Sequence, residues 1–258
     1  METNVTTSDL DLDSGGNRLR AHLALPSDAP APGLVVCHGF PVGKQRASSS
    51  GQTYPELADE LAREAGWAVL TFNFRGTGGS GGDFSLAGWL ADVHAAADHL
   101  RQRPEVDGVW LAGASTGGSL AICAAAEDPR IHGVVTLASR SDFADWAVEP
   151  ERFLAHAREI GVISTPDFPA DQEEWCRELR EIRPVEVVAK LPPRPLLLIH
   201  GDDDDVVPPE DARELADAYG EGAELRIVKG AGHRLRHDPR GVAVLLGWLD
   251  RQRSGASG

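Results

Sequence analysis

Ser115 is the residue best placed for covalent chemistry. It stands in Gly113-Ala114-Ser115-Thr116-Gly117-Gly118, behind an apolar run, Val109-Trp110-Leu111-Ala112, and ahead of Ser119 to Glu127, a stretch of strong helix formers. The order predicted is strand, tight turn, helix, and the turn matches G-x-S-x-G, the spacing of a nucleophile elbow. A serine hydroxyl is a poor nucleophile and must be held where a base can reach it. A sharp turn does this and needs small neighbours, which Gly113, Gly117 and Gly118 supply. The helix start then aims free N–H groups at negative charge forming above the serine. The same spacing recurs at Gly78-Gly79-Ser80-Gly81-Gly82, and Gly76, Gly78 and Gly81 also fit the dinucleotide fingerprint G-x-G-x-x-G. Both readings want a helix at once, and Gly82-Asp83-Phe84-Ser85 starts none, so Ser80 reads as a loop residue.

A nucleophilic serine needs a base, and the base needs a group that orients it. Both types fall at the ends of later apolar runs. Leu196 to Ile199 leads into His200-Gly201-Asp202-Asp203-Asp204-Asp205, and Ala223 to Val228 leads into Gly230-Ala231-Gly232-His233. Open α/β sheets bind ligands at the carboxyl ends of their strands, so serine, carboxylate and histidine meet at one edge, in that chain order. The four consecutive aspartates also suit a solvated loop or a hard-cation site. His233 and His237 are four apart and would pair on a metal only from one helical face; Gly232 favours a loop instead. His38, beside Cys37, reads as a packed residue at a strand end rather than a ligand.

These ends need a scaffold. Leu10 to Leu12 and Arg18 to Leu25 flank Ser14-Gly15-Gly16-Asn17, a hairpin pattern. Leu34 to Cys37 is continuously apolar, as in a parallel strand buried on both faces. A polar loop, Val42 to Thr53, leads to a helix from Tyr54 to Ala65 stopped by Gly66. Trp67 to Phe74 is the next strand, Leu86 to Arg103 a helix ended by Pro104, and Ile131 to Ala138 another strand. Helices from Pro209 to Tyr219 and from Pro239 to Arg251 close the pattern. Strand and helix alternate from Leu34 onward, which predicts an α/β class: a mostly parallel sheet with helices on both faces. Residues 139–195 are too long for a simple crossover and read as helical, with Glu151 to Ile160 and Gln172 to Ile182 the clearest segments. Inserted between two sheet strands, they are expected to cap the strand ends. Phe143, Trp146, Phe153, Phe168 and Trp175 within them either line a substrate pocket or form the cap's own core. The expected division is a core of residues 1–138 and 196–251, a cap of 139–195, and a disordered tail of 252–258.

Composition limits the partners. A chain of 258 residues suits one domain with an insertion, and its net charge of −15 argues against nucleic acid and anionic membranes. No run of eighteen apolar residues predicts a membrane span, and Met1 to Ser14 lacks the pattern of a signal peptide. Cys37, Cys123 and Cys176 are too few and too scattered for a disulfide framework, so a cytoplasmic setting is expected.

Taken together, the motifs resemble the α/β-hydrolase superfamily over essentially the whole chain, and are similar to the small serine esterases of the cinnamoyl/feruloyl-esterase and dienelactone-hydrolase-like groups. His38-Gly39-Phe40 resembles the oxyanion loop and Arg75-Gly76-Thr77-Gly78 the loop after the fourth strand. Gly113 to Gly117 resembles the elbow, His200-Gly201-x-x-Asp204-x-x-Val207-Pro208 the acid loop, and Gly232-His233 the histidine loop. Thr116 stands where Gln, Met or Leu is more usual, and serine at the elbow departs from the cysteine of dienelactone hydrolases proper. The resemblance implies an eight-stranded sheet with a small helical cap. It implies a catalytic set of Ser115, His233 and Asp204, with Asp142 as the runner-up acid. It implies an oxyanion hole from the backbone N–H groups of Phe40 and Thr116; of the aromatics in the insertion, Phe143, Trp146 and Trp175 are the substrate-binding candidates. The activity implied is hydrolysis of a small-molecule carboxylic ester, aryl and thio esters included, through an acyl-enzyme and with no cofactor or metal. An aminopeptidase or amidase, an acyltransferase, and a ligand-binding protein without catalysis are the alternatives.

Overall fold

The computed structural model describes residues 4–41 and 46–255. Part of the polar loop expected at 42–53 and the end of the expected tail, 256–258, lie outside the described residues. The chain opens on a hairpin, β1 (Val5–Ser14) and β2 (Asn17–Pro26), longer than the alternating pattern suggested. Gly15 and Gly16 make its two-residue turn with φ of 58° and 85°, a conformation that matches the twist of the flanking strands and that side chains disfavour. Six further strands follow: β3 (Ala31–Cys37), β4 (Ala68–Phe72), β5 (Val106–Ala114), β6 (Ile131–Leu137), β7 (Leu196–Gly201) and β8 (Glu224–Val228). All eight form one sheet in the order β1-β2-β4-β3-β5-β6-β7-β8. β1 and β2 run antiparallel to their neighbours, and the pairs from β4 to β8 are parallel.

Both faces of the parallel part are covered, which is why its strands are apolar throughout rather than alternating. In β3, Leu34 and Val36 face one apolar cluster while Val35 and Cys37 face the other. The first cluster is closed by α1 (Tyr54–Ala65) and α9 (Pro239–Gly255), with Trp67, Trp110 and Trp248 between them. The second is closed by α2 (Leu86–Arg101), α3 (Thr116–Glu127) and α8 (Pro209–Tyr219). α2 begins at Ser85, whose hydroxyl accepts the Gly88 N–H at 3.0 Å, a side-chain N-cap. It stops two residues short of the expected Arg103, because a residue preceding proline is driven out of the helical region. α9 instead runs past the expected Arg251. The Arg253 guanidinium donates to the Ala65 carbonyl at 3.0 Å and so fastens its last turn to the end of α1; residues 252–255 are helix, not tail.

Between β6 and β7 lie α4 (Ala144–Val148), α5 (Pro150–Ile160), α6 (Gln172–Glu181) and α7 (Pro184–Val187). Pro150 and Pro184 stand at the starts of their helices, where a residue has no intrahelical N–H bond to lose. The segment is tied to the sheet side: Asp83 accepts the N–H groups of Ser164 (2.6 Å) and Thr165 (3.1 Å), and Phe84 donates to the Val162 carbonyl (2.9 Å). Its apolar residues Leu154, Ala157, Trp175 and Leu179 join the cluster under α2 and α3. No helix among the described residues is long and apolar enough to cross a membrane.

Candidate active site

Ser115 sits between the end of β5 and the start of α3 with φ 49° and ψ −126°, a region a side chain occupies only under constraint. The constraint is visible. Its N–H donates to the Leu137 carbonyl at 2.9 Å, and its own carbonyl accepts from Gly118 (3.0 Å) and Ser119 (3.1 Å) as the helix begins. The three glycines around it are required by contact rather than by dihedral. A Cβ on Gly113 would meet the backbone of Gly117 and Gly118, one on Gly117 the carbonyls of Cys37 and His38, and one on Gly118 the Ser139 hydroxyl. The elbow is therefore wedged between β3's exit and β6's exit. Gly39 lies so close that its Cβ would be 3.0 Å from the Ser115 Cβ, which brings the 38–40 loop against the serine.

His38, at the mouth of β3, has a fixed protonation state. Its Nε2 accepts the backbone N–H of Phe74 at 3.2 Å, so the proton is on Nδ1, which donates to the Gly39 carbonyl at 2.8 Å. Burial, with help from the Arg236 charge, pulls its pKa down to about 4 against the opposing pull of the Gly39 bond. It is a packed residue, as expected, and also a brace: it holds the carbonyl of the peptide whose other end is the Phe40 N–H. That second part depends on contacts with Phe74 and Gly39 and has no signal in the local residue pattern.

The acid loop follows β7. Asp204 has a fully buried side chain; its Oδ1 accepts the N–H groups of Val206 and Val207, both at 2.9 Å, and its Oδ2 lies 2.9 Å from His233 Nδ1. Burial alone pushes this carboxyl up, but the bonds from His200, His233, Val207 and Val206 outweigh it and hold the group well below the usual carboxylate range. A carboxylate only accepts, so His233 Nδ1 carries the proton, and the neutral ring keeps its lone pair on Nε2. His200, fully buried, places Nε2 at 2.9 Å from the Val207 carbonyl and 3.3 Å from Asp204 Oδ2. The motif gives His200 a place in the chain only; its burial against Asp204 makes it a second partner of that carboxylate. The neighbours differ: Asp202 accepts the Gly230 N–H at 2.5 Å, and Asp203 and Asp205 are exposed. Asp142 accepts from Ala144 at 2.9 Å and faces Arg183 at 3.4 Å, away from His233.

Ser115, His233, Phe40 and His38 line one cavity, whose space, open mouth included, is about 630 Å³. Thr116 is fully buried at the start of α3. Phe143, Trp146 and Trp175 do not line this cavity. Phe143 and Trp175 are fully buried, and the Trp175 indole N–H donates to the Phe84 carbonyl at 3.2 Å, so a buried tryptophan is satisfied within the core. Trp146 is half-buried, stacked on Phe153 with ring centres 4.3 Å apart and 5.1 Å from Phe40, with its open edge on a separate surface hollow. Ser80 is a loop residue as expected: its hydroxyl donates to the Asn73 carbonyl at 2.6 Å and accepts the Arg20 N–H at 2.9 Å. Among the described residues, no three His, Cys, Asp or Glu side chains converge as a metal site would require.

The model of the prolyl oligopeptidase family matches residues 57–255. An uncharacterised protein of Mycobacterium tuberculosis is 30% identical over 210 residues, 80% of this chain but only 64% of that protein. The human mitochondrial palmitoyl-protein thioesterase ABHD10 is 26% identical over 220 residues, 80% of this chain and 68% of that one. Among solved structures, the α/β hydrolase GrgF from Penicillium superposes with a TM-score of 0.74 at 21% identity, over 96% of this chain and 99% of that one. The fold is thus the α/β-hydrolase fold implied by the motifs.

Proposed function

The chain belongs to the prolyl oligopeptidase family of α/β-hydrolases, and within that frame we propose that it is a serine hydrolase cleaving small carboxylic esters, thioesters included. The observation that carries the reading is Ser115, held at φ 49° in the same cavity as a histidine whose Nδ1 is bonded to a buried carboxylate. Ser115 Oγ attacks the carbonyl carbon and His233 Nε2 takes its proton. The tetrahedral oxyanion is met by the N–H groups of Thr116 and Phe40. His38 fixes the Phe40 peptide plane by holding the Gly39 carbonyl. The bond from the acyl carbon to the leaving oxygen or sulfur then breaks, and His233 returns the proton to that leaving atom. Water, deprotonated by His233, attacks the acyl carbon and releases the acid and Ser115. Asp204 holds the imidazole tautomer and stabilises the imidazolium. The 139–195 segment acts as a cap through Trp146, which touches Phe40.

Amide or peptide cleavage is the second reading, favoured by the family match itself. One experiment tests both. A fluorophosphonate probe is expected to label the native protein on Ser115, with p-nitrophenyl esters turned over faster than aminoacyl anilides. An adduct on Ser80, or labelling that survives Ser115→Ala, rejects the assignment; faster anilide cleavage selects the peptidase reading.

A further inference from the structure

The cavity that holds Ser115 is positively charged in an acidic protein. Its described lining includes the cations of Arg234 and Arg236 and not one Asp or Glu, although the chain carries 40 acidic residues against 25 basic. Most arginines elsewhere are occupied: Arg75 by Asp92, Arg101 and Arg130 by Asp128, Arg240 by Asp238. Arg234 and Arg236 have no carboxylate within ion-pair distance among the described residues. Arg236 is half-buried, with its guanidinium 4.7 Å over the Tyr54 ring on the cavity wall. Among the described residues no hydrogen bond or ion pair takes up its N–H groups, which can hold an oxyanion in a two-pronged bond. Its charge is felt inside the cavity: it adds to the burial that lowers the His38 pKa and works against the burial that raises that of Tyr54.

Position gives the direction. Arg234 and Arg236 follow His233 within three residues, on the turn that includes Leu235–His237. The group that protonates the leaving atom therefore shares its loop with the free cations. Building on the serine-hydrolase reading, we propose that the natural substrate carries an anionic group, a carboxylate or a phosphate, on its leaving-group side, and that Arg236 with Arg234 binds it. An unpaired guanidinium half-withdrawn from water costs stability unless something pairs with it, and a substrate anion does.

The test compares leaving groups matched in acidity. One pair is 4-acetoxyphenylacetate and its primary amide; the other is 2-(4-acetoxyphenyl)ethyl phosphate and the parent alcohol. The expected kcat/KM preference for at least one anion over its neutral partner is about tenfold, the factor one charge-assisted hydrogen bond supplies. It should appear mainly in KM and weaken with added salt. The larger preference tells carboxylate from phosphate. In Arg236→Gln and in the Arg234→Gln, Arg236→Gln double variant the ratio should fall towards one, while Arg213→Gln on the distant α8 leaves it unchanged. A second arm needs no turnover: calorimetric binding of 4-hydroxyphenylacetate against its amide, and of 2-(4-hydroxyphenyl)ethyl phosphate against its alcohol, to Ser115→Ala protein and to that protein with the arginine changes. Equal binding and equal turnover of both anions and their neutral partners overturns the proposal. If no ester is hydrolysed but an arginine-dependent preference for an anion persists in binding, the anion site stands and the hydrolase reading falls.

Discussion

Among single residues, Asp204 and His38 make the sharpest demands. Four consecutive aspartates cannot all ionise in a buried place, because like charges a few ångströms apart raise each other's pKa. One turns inward: Asp204, with two backbone N–H groups and two imidazoles around it. Asn at 204 keeps the shape but invites the wrong His233 tautomer, and kcat on an activated ester should fall about 10,000-fold, the loss seen on removing this charge in a serine protease. Asn at Asp142, Asp202, Asp203 or Asp205 should leave it within about tenfold. A collapse at any of those four with Asp204→Asn near wild type would move the acid elsewhere. His38 makes a prediction about stability. Folded, it stays neutral down to about pH 4; unfolded, it takes a proton near its ordinary 6.5. Between those values the unfolded chain binds more protons, so stability falls as pH drops from 6.5 to 4 and this contribution is gone below that. The full contribution is about 3 kcal/mol. His38→Gln should be less stable than wild type at pH 7, and chemical denaturation should show the gap shrinking by up to that amount at pH 4. A gap that stays constant with pH would mean that folding leaves the His38 pKa at its ordinary value.

At the scale of elements, the aromatic side chains of the 139–195 segment divide by burial. Trp175, on α6, fills the cluster under α2, whereas Trp146, on α4, leans on Phe40 at the cavity. Trp175→Ala removes a fully buried ring and should cost about 3–5 kcal/mol, lowering Tm by roughly 10 °C. Its ranking of ester substrates should match wild type. Trp146→Ala should melt closer to wild type yet change the ranking of acyl chain lengths, because Phe40 loses a neighbour. Thermal melts beside a panel of p-nitrophenyl esters read both effects, and a reversed pattern would make Trp146 the core residue and Trp175 the selector.

Across the whole molecule, the sheet is clamped by two apolar layers, and the layer of α1 and α9 depends on the chain's last helical turn. Arg253 reaches back across 188 residues to the Ala65 carbonyl. Deleting residues 252–258 removes that bond and the charge at the end of α1. A net hydrogen bond involving a charged group is worth about 1.5–3 kcal/mol, so Tm should fall by roughly 3–10 °C with activity at 25 °C retained. A truncated protein that melts with wild type would show that the turn adds nothing. The charge of −15 acts at the same scale, because Arg234 and Arg236 stand out as cations only against an acidic surface.

The amino-acid order alone carried the strand–turn–helix around Ser115, the alternation that makes a parallel sheet, and the three strand ends where Ser115, Asp204 and His233 reside. Each is a local signal: apolar periodicity, glycine where a Cβ will not fit, and reactive residues directly after a strand. It could not separate Ser80 from Ser115 by spacing alone, and needed the helix that follows only one of them. What tertiary structure decided is everything set by burial and by contact across the chain. The tertiary structure hid Phe143 and Trp175 in the core, turned Asp204 rather than its neighbours inward, and carried α9 on to Gly255 through a contact with Ala65. It set His38 under the Gly39 carbonyl and left Arg236 over Tyr54 with no ion-paired carboxylate among the described residues. Each is a competition between groups far apart in sequence for the same space or proton, and no pattern read along one chain contains both competitors.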